Sequence, residues 1–496
     1  MALSLLLILF AVGCLLSLLY CRVKNRLLGL PPGPMPLPII GNIFSLAGEM
    51  DKVFLGWKKQ YGNVYTIWMP HATVVINDAE TLKATVAAEG DLYGARQPFA
   101  ELMKMFFGGL FGLIFNDNSM WREQRRFALH TLRDLGLGTN TMQDTANFLI
   151  HRAVDVLRTS EGEVIDITPH LTSCVGNVIK SLTFGRITGH DDPVSIRFKQ
   201  LIDEVIQGSN SPLVQAIEFI PALKHFDSLL GIGLKKSVIA NDQVMDEIDR
   251  EVTEREAALD MEATPKCFID AFLQEMERRK REGEELGSFT RHQMIVAAYD
   301  LYTAGLETTV STLRFTILYM LNNPKVQDKL HAEIDEQIGK RDVRMEDQRL
   351  LPYTCAVIQE THRCAVLLPA IAPRLLLEPA EIAGYQIPAG TAVMPQFQSI
   401  MIDDEIFERA DFFCPERHLN ESGEFVKDPR IMAFSVGKRA CIGEGLARME
   451  LFIFLVTLLQ HFRFTPEGVV PPRPERIDGF LRSPKPYKCR IYAREK

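Results

Sequence analysis

Hydrophobic positions fall into three rhythms along this chain. Residues 1–20 carry no charged side chain and are mostly Leu, Ile, Val and Phe. As a helix, residues 3–20 would reach about 27 Å at ~1.5 Å per residue, close to the hydrocarbon thickness of a bilayer. Two short strand-like runs, 64–68 and 73–76, flank a Pro70-His71 turn. From about residue 80 to about 340 apolar positions recur every three or four residues. That spacing predicts helices over 119–134, 142–158, 168–184, 194–208, 236–259, 266–281 and 290–321. Asp191-Asp192-Pro193 and Asn322-Asn323-Pro324 mark turns between some of them. A second β patch is expected at 373–377 and 381–388. No repeat or Ser/Gly-rich linker interrupts the pattern, so one large, mainly helical domain with small β-sheets fits better than several small ones.

The first apolar run reads as an uncleaved membrane anchor over residues 1–21. A cleaved signal peptide would have basic residues before the run and a small-residue cleavage site after it, and neither is present. Arg22, Lys24 and Arg26 follow directly, which sets the N-terminus on the lumenal side and the rest in the cytosol. Residues 22–38 form a basic, proline-rich hinge. Its five prolines between 31 and 38 fix φ and remove donors, giving a stiff arm that holds the domain at a set angle to the membrane.

Composition excludes several classes. With 496 residues, of which 47% are hydrophobic, the chain can bury a large core without disulfides. A net charge of −8 argues against nucleic-acid binding, which needs a basic face. The nine cysteines include no C-x-x-C pair and suit reduced thiols, most of them small buried side chains. Neither a complete dinucleotide fingerprint nor a phosphate-binding loop occurs. Electrons for any redox chemistry must therefore come from another protein.

The run Phe434-Ser435-Val436-Gly437-Lys438-Arg439-Ala440-Cys441-Ile442-Gly443 precedes an expected helix over 444–461. A cysteine at a helix N-terminus should have a lowered pKa and favour thiolate. Gly437 permits a tight turn, and Gly443 lets something flat approach the backbone. Arg439 is placed to pair with an anionic group of such a ligand.

This run is similar to the haem-binding signature F-x-x-G-x-R-x-C-x-G of the cytochrome P450 superfamily. Glu360-Thr361-His362-Arg363 resembles its E-x-x-R, Ala304-Gly305-Leu306-Glu307-Thr308 its A-G-x-[DE]-T, and Trp121-Arg122-Glu123-Gln124-Arg125 its W-x-x-x-R. The likeness extends over essentially the whole chain and is nearest to microsomal animal enzymes of the family 2 type. It implies a cytochrome P450 fold over residues 39–496 and an endoplasmic reticulum membrane location. It implies haem b with Cys441 as iron ligand, a thiolate that favours O–O cleavage.

By the same resemblance, Trp121, Arg125, Arg374 and Arg439, with Arg96 as a further candidate, meet the haem propionates, and Phe434, Gly443 and Ala304 line the cofactor. Thr308 and Glu307 would guide protons to the oxygen being activated. On the helix over 290–321, Asp300, Leu301, Ala304 and Thr308 share one face. There the Thr308 hydroxyl can bond to the carbonyl four residues back, and with Gly305 beside it open a groove for dioxygen and water. Glu360 and Arg363 would form a buried structural network with Arg417, next to a His418 where many relatives carry Phe. Arg122, Arg126 and Arg133 form a stripe that suits an acidic NADPH-cytochrome reductase, with cytochrome b5 as a second partner.

The implied activity is insertion of one oxygen atom from O2 into a hydrophobic fatty acid, steroid or xenobiotic, with electrons from NADPH. A peroxide-rearranging isomerase and a haem-binding sensor are the alternatives; Thr308 and the basic stripe argue against the isomerase. Pocket walls are expected at 99–115, 201–234, 365–372 and 479–481. The apolar stretch 212–234 suits either core packing or a second contact with membrane lipid.

Overall fold

Residues 12, 13, 15, 16 and 19, and residues 28–494 except 38, 39, 47, 48, 70, 97, 98, 137, 138, 370 and 480, are described by the computed structural model. Most of the expected anchor over 1–21 and the basic stretch 22–27 lie outside the described residues. Among those described, no helix is long and apolar enough to cross a membrane.

The three-and-four spacing becomes a succession of helices: α1 (Met50–Tyr61), α2 (Ala100–Phe107), α3 (Asn118–Asp134), α4 (Asn140–Arg158), α5 (Thr168–Phe184) and α6 (Pro193–Ser209). After a region of short helical turns come α7 (Leu234–Ala258), α8 (Phe268–Glu282), α9 (Arg291–Asn322), α10 (Pro324–Gln337), α11 (Pro352–Ala365) and α12 (Glu444–His461). The seven expected helices all form, within two residues at each end. Their boundaries have local causes. Asp192 caps α6 by accepting the Ser195 amide at 3.0 Å, and Pro193 fits the first turn, where no donor is needed. Thr290 caps α9 through the Gln293 amide at 3.2 Å. Pro324 then starts a new helix because it cannot continue the old one.

Helix α9 is buried along most of its length and packs against α5, α7, α11 and α12. A helix enclosed on most sides needs no polar stripe, which suits its mixed periodicity. Gly305 belongs to this packing. A Cβ there would lie 2.7 Å from Ile179 Cδ1 of α5, so the glycine serves helix–helix contact and not the groove expected beside Thr308.

Strands β1 (Val64–Met69) and β2 (His71–Ile76) form an antiparallel hairpin in the register Val64↔Ile76. With β3 (Ala95–Arg96), β4 (Arg374–Leu375) and β5 (Ala392–Pro395) they build one sheet in the order β1-β2-β5-β4-β3. The expected second patch therefore divides. Its first part joins the sheet of the N-terminal hairpin, and its second is a separate hairpin of Ala380–Ile382 and Tyr385–Ile387. Local alternation says that a strand exists but not which distant strand completes it. A further sheet of β6 (Phe462–Pro466), β7 (Cys489–Ala493) and Val164–Ile165 was not legible at all.

The proline-rich arm lies along β1. Pro32 accepts the Thr66 amide at 3.1 Å, and the Asn42 side chain donates to Met35 O at 3.2 Å. A Cβ on Gly33 would fall 1.8 Å from Thr66 O, so only glycine permits this approach.

Candidate active site

The backbone of 434–443 is built to present one side chain. Gly437 has φ +72°, and a Cβ there would stand 2.1 Å from Val86 O. The Ala440 amide donates to Gly437 O at 3.0 Å and the Cys441 amide to Phe434 O at 2.9 Å. Among the described cysteines, all free thiols, Cys441 is the one exposed residue, although protein atoms around its sulfur still desolvate it. Gly443 caps α12, which starts at Glu444 as expected, so Cys441 lies just ahead of the helix N-terminus. Its thiol is pushed up, not down: desolvation by the protein around the sulfur outweighs the Gly443 amide and Arg125, and Glu444 adds to the rise. The helix-end field fades within a turn, whereas desolvation does not.

Cationic side chains gather around this loop. Arg125 of α3 donates to Ala440 O at 2.6 Å, and its charge acts on the Cys441 sulfur. Arg96 and Arg374 face each other across β3 and β4. Arg374 donates to Ser435 Oγ at 3.1 Å and Val436 O at 2.9 Å. Arg439 donates to Gly94 O, Asn116 O and Asp117 Oδ1 at 2.7, 2.9 and 2.9 Å, while its guanidinium lies 3.5 Å from the Trp121 ring centroid. All three Arg439 nitrogens thus have protein partners, and its place is behind Trp121. Asp117, Asn116 and Gly94 are participants that no sequence motif signalled.

Burial, reinforced by mutual repulsion, pushes Arg374 and Arg439 down to about 9 and Arg96 down to about 10. Arginine gives up its proton only reluctantly, so these values express a need for negative charge. Trp121 Nε1, Arg96 Nε and Arg374 Nη1 are buried donors without hydrogen-bond partners among the described residues. An anionic group with two carboxylates would satisfy both the charge and the donors. A Cβ on Gly443 would meet nothing within 4 Å, which leaves a smooth backbone surface for a flat ring. The residues fit haem.

On α9 the Thr308 hydroxyl donates to Ala304 O at 2.7 Å, as expected. Ala304 is exposed and Leu301 and Thr308 are half-buried on a helix whose other faces are closed. Glu307 turns elsewhere: it pairs with Lys199 of α6 at 3.1 Å, and Lys199 also binds Asp203. Burial raises the Glu307 carboxyl despite this partner. The structure thus joins Glu307 to α6 and not to Thr308.

Asp300 anchors the loop above α9, accepting the Leu113 and Ile114 amides at 2.6 and 3.0 Å. Burial pushes its carboxyl from 3.8 up to about 7, against the pull of these amides and Arg96. The folded chain holds this proton more tightly than the unfolded one. Its stabilising contribution is full below about pH 4 and is lost as pH rises through about 7. Asp300→Asn keeps an acceptor without titrating. Its unfolding midpoint relative to the parent is expected to improve as pH rises from about 4 to about 7 and then to level off; a difference independent of pH would refute this.

Glu360 lies at the centre of a network in which it, Arg363 and His418 are buried. Arg363 binds both its oxygens at 2.8 Å, Arg417 binds Oε1 at 3.0 Å, and the Cys414 amide donates to Oε1 at 2.9 Å. His418 Nε2 completes it at 2.8 Å from Oε2, a contact that no sequence motif signalled. Arg363 also donates to the carbonyls of Met401, Ala410 and Phe412, tying four segments together.

The expected pocket walls come together in pairs. Glu218 accepts the Leu102 amide at 3.1 Å and Gly479 abuts the Asn210 side chain, while the amide of Arg482, one residue beyond the last expected wall, donates to Leu367 O at 2.7 Å. Arg122, Arg126 and Arg133 are all exposed and form no ion pair among the described residues.

A helical fold with a cysteine loop, an unbalanced arginine cluster and a threonine-notched central helix defines a class of protein suited to holding a flat dianionic cofactor. The family model of cytochrome P450 matches residues 31–491. The chain is 38% identical over 483 residues to a probable cytochrome P450, CYP36A1, of Caenorhabditis elegans, covering 97% of this chain and 98% of that one. It is 35% identical over 493 residues to cytochrome P450 2C23 of Rattus norvegicus (98% and 97%) and 33% over 484 to cytochrome P450 2M1 of Oncorhynchus mykiss (95% and 94%). The chain belongs to the cytochrome P450 family, whose members are monooxygenase oxidoreductases. Membership implies haem, dioxygen, a redox partner and a hydrophobic substrate.

Proposed function

We propose that this enzyme inserts one oxygen atom from O2 into a hydrophobic small molecule such as a fatty acid, steroid or xenobiotic, with electrons passed from NADPH by a membrane reductase. The observation that carries the reading is the Cys441 loop set beside arginines that need an anion. When bound, haem supplies the redox chemistry that activates oxygen. Cys441 would hold the iron. Arg125, Arg374 and Arg96, with Trp121 Nε1, would hold the propionates, and Arg439 would brace Trp121 from behind. Phe434, Gly443 and Ala304 would shape the ring's surroundings. Thr308 would present its hydroxyl where protons are needed, and a proton from Glu307 would first have to leave the Lys199–Asp203 group.

Residues 1–21 would anchor the protein in the endoplasmic reticulum membrane, with 22–38 as hinge and 39–496 as the cytosolic catalytic domain. Phe226, Leu229 and Leu230 are 50, 80 and 48% exposed, too much apolar surface in one short stretch for core packing, and this supports a second lipid contact. The exposed stripe of Arg122, Arg126 and Arg133 supports docking of an acidic reductase, with cytochrome b5 as an additional donor.

The test is a product screen of reconstituted enzyme with NADPH and reductase over a panel of lipophilic compounds. Oxygenated product that depends on reductase is expected; turnover indifferent to reductase would overturn the reading. In the same system Thr308→Ala is expected to keep consuming NADPH and O2 while the product formed per NADPH falls by about tenfold, the lost share appearing as peroxide. Unchanged coupling across several substrates would remove Thr308 from the mechanism.

A further inference from the structure

His362 has no part in the roles assigned above, yet it touches the loop that presents Cys441. The residue is 7% exposed, and Nε2 has no partner among the described residues. Its ring meets that of Phe434 edge to face, with centroids 5.2 Å apart and planes at 72°. The guanidinium carbon of Arg448, itself bonded to Glu444 at 2.9 Å, lies 4.7 Å from the centroid of the same ring. Phe434 is therefore held by an imidazole and a cation, and its carbonyl accepts the Cys441 amide.

His362 also occupies the turn of α11 between Glu360 and Arg363, where the buried ion pair fixes the backbone. An edge-to-face contact depends on ring orientation, so it fixes the plane of Phe434 in a way that an aliphatic side chain filling the same space would not. A buried nitrogen without a partner is unfavourable, and an aliphatic residue would avoid it.

We propose that His362 is a positioning residue for the Cys441 sulfur, acting through the Phe434 ring. The pinned turn of α11 passes its rigidity through the imidazole to Phe434, and from the Phe434 carbonyl to the Cys441 amide. The inference rests on the reading of Cys441 as the haem ligand.

The test compares the full-length holoprotein with His362→Leu and His362→Phe. Three quantities are read: the carbon monoxide spectrum of the reduced protein, the reduction potential of the iron and the unfolding midpoint. In His362→Leu the ratio of sulfur-ligated to sulfur-detached protein is expected to fall roughly fivefold, about 1 kcal/mol, the scale of one aromatic contact. The potential should move with it, and His362→Phe, which keeps an aromatic edge, should restore most of both. A leucine variant with the parent's spectrum and potential would overturn the proposal. So would leucine and phenylalanine variants that are equally altered, or a change confined to the unfolding midpoint. The parent's own spectrum reports separately on Cys441: without a sulfur-ligated band there, the ligand assignment fails before any variant is compared.

Discussion

Cys441→Ala is expected to give a folded chain that lacks the red-shifted Soret band of a sulfur-ligated, reduced carbon monoxide complex. Monooxygenase turnover should fall by a thousandfold or more, ~4 kcal/mol of barrier. The loop does not depend on the sulfur for its shape. The positive φ of Gly437 and the amides of Ala440 and Cys441 define it, and alanine keeps all three. The arginine cluster is likewise untouched, so residual haem can still meet Arg374, Arg125 and Trp121. What disappears is the one side chain able to donate an anionic sulfur to the iron. Because desolvation by the surrounding protein raises the free thiol, its thiolate would be favoured by coordination, and loading with haem should release a proton near neutral pH. A Cys441→Ala protein that retained the red-shifted band would show that another atom holds the iron.

The second large effect is on folding. Glu360→Gln is expected to cost ~3–5 kcal/mol, because it leaves Arg363 buried without its counter-charge. Domain stabilities are only about 5–15 kcal/mol, so little folded holoprotein should accumulate. Burial alone would raise the Glu360 carboxyl; the hydrogen bonds from Arg363 and His418, with the Arg363 charge and the Cys414 amide, overcome it and hold the group at about 2. The proton is held more weakly in the fold than in the unfolded chain. The stability this group adds is therefore present above its ordinary value of 4.5 and is lost as pH falls towards 2. Acid titration of the unfolding midpoint in the parent reads this contribution, and the glutamine variant should lack it. A variant as stable as the parent, with the same acid limb, would mean that the network is dispensable.

Much of the site was legible because its parts are short and contiguous. The spacing of Thr308 and Ala304 led directly to the observed hydroxyl–carbonyl bond. Trp121 and Arg125 turned inward and Arg122, Arg126 and Arg133 outward, as helical periodicity requires. Glu307 and Gly305 meet partners that the motif does not specify, for a common reason. Adjacent helical positions point about 100° apart, and which neighbour each one meets is set by the packing of α5 and α6, not by the motif. Ile179 claims Gly305, and Lys199 claims Glu307.

Sequence alone settled most of the long helices and the residue types: where those helices start and stop, which loop carries the cysteine, and which side chains can carry charge. These follow from rules acting over three to ten residues. Only the folded chain could decide what faces what. Asp117 reaches Arg439 across more than three hundred residues, β4 joins the sheet of the N-terminal hairpin, and His418 closes the Glu360 network. The rise of the Cys441 thiol is of the same kind. Desolvation and charge repulsion depend on every atom brought near, whatever its place in the chain, so they exist only once the core has closed.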